Sequence, residues 1–86
     1  MVNPETLDAT LRMLLKKVAP DSQPDQLKPS DPLMATLQMD SYDFLQFIIS
    51  IDKELHINIP EEDYGKVMTL ADMVQYIKGK NPVPPT

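Results

Sequence analysis

The chain contains no cysteine. Disulfides and thiolate metal sites are therefore excluded. Its one histidine, His56, gives no basis for a histidine metal cluster. No run approaches the roughly 18 apolar residues that a membrane-spanning helix needs. The opening MVNPETLDATLRMLLKKVAP lacks a basic start and a long apolar core, so it does not read as a signal peptide. A soluble, cytoplasmic protein is the expectation. Basic charge is also scarce, with a formal net charge of -5. A nucleic-acid binder would show the opposite sign. Internal repeats and low-complexity blocks are absent.

At 86 residues the chain makes one domain. A domain of this size buries only about 60 to 65% of its unfolded surface, enough for one modest core. A deep pocket preorganised for catalysis has little room. A binding or carrier module is favoured over an enzyme.

The charge present is unevenly placed. Between Asp40 and Tyr64 there are seven acids (Asp40, Asp43, Asp52, Glu54, Glu61, Glu62 and Asp63) against the single base Lys53. The remaining residues hold six acids and seven bases. An acidic window of this kind either keeps the protein soluble or meets basic partners, where charge speeds encounter more than it sets affinity.

Apolar periodicity then predicts an all-α fold: a small bundle of three main helices and one short one, with a long loop between the first and second. The first helix is expected to begin with Asn3 as N-cap and Pro4 at its first position, and to end at Pro20. Leu7, Leu11, Leu14, Leu15 and Val18 make its apolar face; Asp8, Arg12 and Lys16 lie on another, spaced for i,i+4 pairing. Residues 19–39 read as a loop pinned to the core by Leu27, Leu33 and Leu37. The second helix is expected over 41–55, capped by Asp40. Its stripe is Phe44, Ile48, Ile51 and Leu55, flanked by Leu45 and Phe47, while Ile49 drifts to the polar side with Tyr42, Gln46 and Lys53. Pro60 opens a short acidic helix at EEDY. Thr69 caps the last helix, with Asp72 three residues on, Leu70, Met73, Val74 and Ile77 on its apolar face, and Gly79 as a stop signal. The tail at 81–86, with Pro82, Pro84 and Pro85, reads as disordered.

The segment LQMDSYDFLQFIISIDKELHINIPEEDYGKVMTLADMVQYI resembles the core of an acyl carrier protein. The resemblance rests on a linked series: Leu37, then Asp40-Ser41 heading an apolar helix, then Ile59-Pro60-Glu61, then Val67, Thr69 and Leu70 before a final helix. It covers residues 5–78 and makes 1–80 a carrier domain. It implies that Ser41 is esterified to 4′-phosphopantetheine, donated by coenzyme A through a phosphopantetheinyl transferase, with Asp40 as the motif acid. Acyl groups would ride on the arm as thioesters to enzymes of fatty-acid, polyketide or related synthesis. The carrier itself would be no enzyme, and no His-Asp pair near Ser41 in sequence supports a hydrolytic triad.

The second helix is the family's usual docking element for basic patches on acyl-loading and acyl-using enzymes. The partner surface implied here is Tyr42, Asp43, Gln46, Ile49, Asp52, Lys53 and Glu54, with Glu61 and Glu62 beyond. Three positions depart from the family pattern. Tyr42 replaces the usual leucine, and Gln46 and Lys53 stand where an acid is frequent, which points to a specialised partner set. Phe44, Ile48, Leu55, Met68 and Met73 are core residues first and candidate cavity residues second. Tyr64 and Tyr76 read as half-buried packing residues, and His56 as a helix-end residue. The competing readings are a peptidyl or aminoacyl carrier and an unmodified helical interaction module. A shuttling carrier is expected to be monomeric.

Overall fold

The computed structural model describes residues 4–80. The expected Asn3 cap and the proline-rich tail lie outside them. Four α-helices follow in order: α1 Pro4–Val18, α2 Leu33–Leu37, α3 Ser41–Leu55 and α4 Leu70–Lys80. Two 3-10 helices complete the fold, Pro24–Gln26 before α2 and Glu61–Lys66 before α4. The described residues form no strand; one isolated antiparallel bridge joins Pro32 to Thr69.

The three long helices share one core. α1 packs against both α3 and α4. Leu7, Leu11, Leu14 and Leu15 of α1 meet Phe44, Phe47, Ile48 and Ile51 of α3 and Leu70, Met73 and Ile77 of α4 in one buried cluster. Val18 and Val74 pack at its edge. Phe47 is fully enclosed, and no polar or charged residue is buried among the described residues. Each helix thus has one apolar face, and hydrophobic burial holds the three faces together.

The connection 19–39 is more ordered than its sequence indicates. Leu27, Leu33 and Leu37 are buried, as the pattern requires, and Met39 joins them. The order has a polar cause too. The Arg12 guanidinium bonds the Asp8 carboxylate and donates to the carbonyls of Pro24, at 2.5 Å, and Leu27, at 2.8 Å. Lys16 donates to the Ser22 carbonyl at 2.9 Å. Further along, the Leu33 amide donates to the Met68 carbonyl at 2.8 Å and the Ala71 amide to the Pro29 carbonyl at 2.9 Å. These bonds tie the connection to α1 and to the head of α4, and the short helix α2 forms within it.

The acidic segment after Pro60 is the expected short helix, of 3-10 type, and runs from Glu61 through Lys66. Two local expectations need correction. Gly79 does not stop α4, which continues to Lys80. Its φ is not positive, so the left-handed geometry that makes glycine a helix terminator is absent. Leu45 does not flank the core. One step of about 100° carries it from Phe44 to the solvent side, where it is 42% exposed.

Candidate functional site at the head of α3

Asp40 has extended backbone, with φ -94° and ψ -176°, and caps α3. The Asp43 amide donates to Asp40 Oδ1 at 2.9 Å, and the Asp40 amide donates to Asp43 Oδ2 at 3.4 Å. The two acids therefore close a reciprocal capping box around Ser41 and Tyr42. Thr69 repeats the first half of the device at α4, accepting from the Asp72 amide at 3.0 Å.

Ser41 is the first residue of α3 and is exposed. Its hydroxyl has no hydrogen-bond partner among the described residues. The first-turn amides of Ser41 and Tyr42 have no acceptor within the helix. The head of α3 is thus a rigid, accessible end with a hydroxyl and the positive pole of the helix together.

Beside it lies an open cleft of about 490 Å³. From α3 it takes Ser41, Phe44 and Leu45, and from the 61–66 helix Glu61, Tyr64 and Gly65; Met34 and Met68 complete it. Phe44 and Tyr64 meet edge to face, ring centroids 5.5 Å apart at 79°. Of the cavity candidates named from sequence, Phe44 and Met68 line this cleft. Ile48 and Met73 are buried in the core, and Leu55 packs against it. Met34, Leu45, Tyr64 and Gly65 were not foreseen as lining residues; they come from three separate segments, and no periodic spacing joins those segments.

The wall opposite α3 has its own support. The Tyr76 hydroxyl donates to Asp63 Oδ2 at 2.6 Å, and Lys66 Nζ lies 3.2 Å from Asp63 Oδ1. The Tyr76 bond chiefly holds the Asp63 carboxyl below its ordinary value of 3.8; burial opposes it, and the bond and charge of Lys66 add to the lowering. Burial, then the bond and charge of Asp63, push the Tyr76 phenol up to about 12. Lys80 stands over the Tyr76 ring, 5.5 Å from its centroid.

The expected partner surface is dispersed along α3 and beyond. Tyr42 is 67% exposed and Ile49 38%, and with Leu45 they make an apolar line leading away from Ser41. Gln46 is half-buried beside it, and Asp52, Lys53 and Glu54 are exposed at the far end. Glu61 and Glu62 are exposed on the 61–66 helix, whereas Asp43 is half-buried in the capping box. His56 is the left-handed C-cap of α3, with φ 59°. Among the described residues no group of three His, Cys, Asp or Glu side chains is placed to hold a metal ion, and no helix is long and apolar enough to cross a membrane.

The family model described as "Phosphopantetheine attachment site" matches residues 9–77. The chain belongs to the acyl carrier protein family. It is 24% identical over 74 residues to the acyl carrier protein of Helicobacter hepaticus, covering 86% of this chain and 95% of that one. It is 29% identical over 55 residues to the acyl carrier protein of Wolinella succinogenes, covering 64% of this chain and 72% of that one. Membership gives the chain a carrier's role rather than an enzyme's, with covalent 4′-phosphopantetheine as its cofactor. The head of α3 fits such a group: an exposed hydroxyl there could accept an ester, and the unpaired amides of a helix start would favour a phosphodiester's charge.

Proposed function

We propose that Ser41 is the residue that carries the arm. Its hydroxyl oxygen attacks the phosphate of coenzyme A, the pyrophosphate bond breaks, and the adenosine bisphosphate portion leaves. A separate phosphopantetheinyl transferase supplies the chemistry for this step, including the base that takes the Ser41 proton. Ser41 itself needs only exposure and a fixed position, which the capping box supplies. The observation that carries the reading is an exposed, unpartnered Ser41 hydroxyl at the head of a capped helix, next to an apolar cleft.

The arm's thiol then bears acyl groups as thioesters and presents them to loading and using enzymes. Those enzymes meet α3, where Tyr42, Leu45 and Ile49 offer apolar area and Asp52, Glu54, Glu61 and Glu62 face basic patches. Burying apolar area contributes about 25 cal/mol per Å², while solvated charges at the rim act chiefly on the encounter rate. Tyr42, Gln46 and Lys53 fit a specialised partner set in fatty-acid, polyketide or related synthesis. The reading places the chain in the cytoplasm as a monomer, because a shuttling carrier needs its α3 face free.

Intact mass tests the reading. Incubation with coenzyme A and a broad-specificity transferase should add the mass of one arm, and Ser41→Ala should abolish the gain. No gain by the wild type with several transferases would sink it. Loading assays with acyl transferases and with adenylating enzymes then separate an acyl carrier from an aminoacyl one.

A further inference from the structure

The 61–66 helix is a weakly held wall. None of its residues is fully buried, yet Glu61, Tyr64 and Gly65 form one side of the cleft beside Ser41. Its two ends are fixed, because Ile59 just before it and Val67 just after it are both buried. Between those anchors it has two side-chain ties to other elements. One is the Tyr64 ring against Phe44 on the cleft side. The other is the Tyr76 bond to Asp63, which joins it to α4. Asp63 and Tyr64 are neighbours in the chain, so a fixed Asp63 fixes the backbone from which the Tyr64 ring projects.

We infer that the Tyr76–Asp63 hydrogen bond is a latch holding the 61–66 helix as the closed wall of the cleft, and that it thereby shelters an apolar group carried on the Ser41 arm. This rests on the reading of Ser41 as the attachment residue. Tyr76 and Asp63 are positioning residues, acting through Tyr64 and Gly65. The Lys66–Asp63 pair does not substitute for the latch. It lies within the same segment at i,i+3, and the Lys66 side chain is 70% exposed, so it ties nothing to α4 and contributes little. With the latch open, Tyr64 leaves Phe44, the space beside Met34 and Met68 widens, and water reaches the thioester.

The test uses Tyr76→Phe, which keeps the ring, and Asp63→Asn, singly and together. In the unmodified protein, amide hydrogen exchange across 61–67 should speed up about three- to tenfold in each variant, the range one hydrogen bond supplies. Exchange in α1 and α3 should be unchanged, and the double variant should be no faster than either single one. In the holo protein, hydroxylamine cleavage of an octanoyl thioester should accelerate in the variants, while an acetyl thioester, too short to reach under the wall, should be cleaved at the wild-type rate. Unchanged exchange across 61–67 would overturn the latch. So would equal octanoyl cleavage in wild type and variants, or equal acceleration of both thioesters. Faster exchange in a protein whose Ser41 accepts no arm would support the latch and overturn the attachment reading instead.

Discussion

Asp40 and Asp43 cap each other across the first turn of α3, each carboxylate accepting the other's amide. Ser41 sits inside that exchange. Asp40 therefore has two separable roles, as a hydrogen-bond acceptor for the helix and as a negative charge next to the attachment residue. Asp40→Ala should lower stability by about 1 kcal/mol, the usual worth of an N-cap. Asp40→Asn keeps an acceptor and should fold within a few tenths of a kcal/mol of wild type. Urea denaturation measures the first role, and the initial rate of arm transfer measures the second. A slow Asn variant of normal stability would show that the transferase reads the charge.

Arg12 performs for the 19–39 connection what burial alone does not. Its planar fork reaches the Pro24 and Leu27 carbonyls while still bonding Asp8. A lysine ammonium is a single point charge on a flexible stem and cannot reproduce that fork. Arg12→Ala should destabilise by about 1.5–3 kcal/mol, the range for hydrogen bonds to a charged group. Arg12→Lys should recover less than half of the loss. Thermal unfolding of the two variants decides this, and a lysine variant equal to wild type would contradict it.

The three long helices were legible because each carries a repeated apolar stripe, and because α3 and α4 begin at residues able to cap them. Asp40 and Thr69 do cap, at the predicted positions. What escaped the sequence was decided at long range. The order in 19–39 comes from Arg12 and from contacts with Met68, Thr69 and Ala71, none of which leaves a periodic trace. The cleft joins Met34, Phe44, Tyr64 and Met68 from four segments. Leu45 was misplaced because a side chain at the border of a stripe is assigned by a rotation of one residue. Gly79 was misread because a glycine ends a helix only where the backbone turns left-handed, and here it does not.

The exposed line Tyr42, Leu45 and Ile49 should matter to partners and not to folding. Leu45→Ser and Ile49→Ser should leave stability within about 0.5 kcal/mol of wild type, as surface changes do. Each should weaken capture by an acyl-using enzyme about three- to tenfold, the equivalent of roughly 1 kcal/mol of lost apolar burial. Asp52→Asn and Glu54→Gln should behave differently, slowing association at low salt with little effect at high salt. Stopped-flow association at two ionic strengths separates the two kinds of residue. A Leu45 variant with normal capture would remove that residue from the docking surface.

Stability should depend on pH through the Tyr76–Asp63 pair, with opposite signs at the two extremes. Folding lowers the Asp63 pKa from 3.8, so its contribution is present above about pH 4 and is lost as pH falls through the folded value. Folding raises the Tyr76 pKa from 10.0 to about 12, so the unfolded chain gives up its proton first and stability is lost between those values. Lys66 and Lys80 also act on Asp63, and Glu62 acts on Tyr76. The quantity to read is the difference between wild type and Tyr76→Phe. That difference should be largest between about pH 4 and 10 and should shrink on both sides. Urea denaturation across the range measures it. A difference that stays constant from acid to alkali would mean that Tyr76 supports the wall by packing alone and not by its bond to an ionised Asp63.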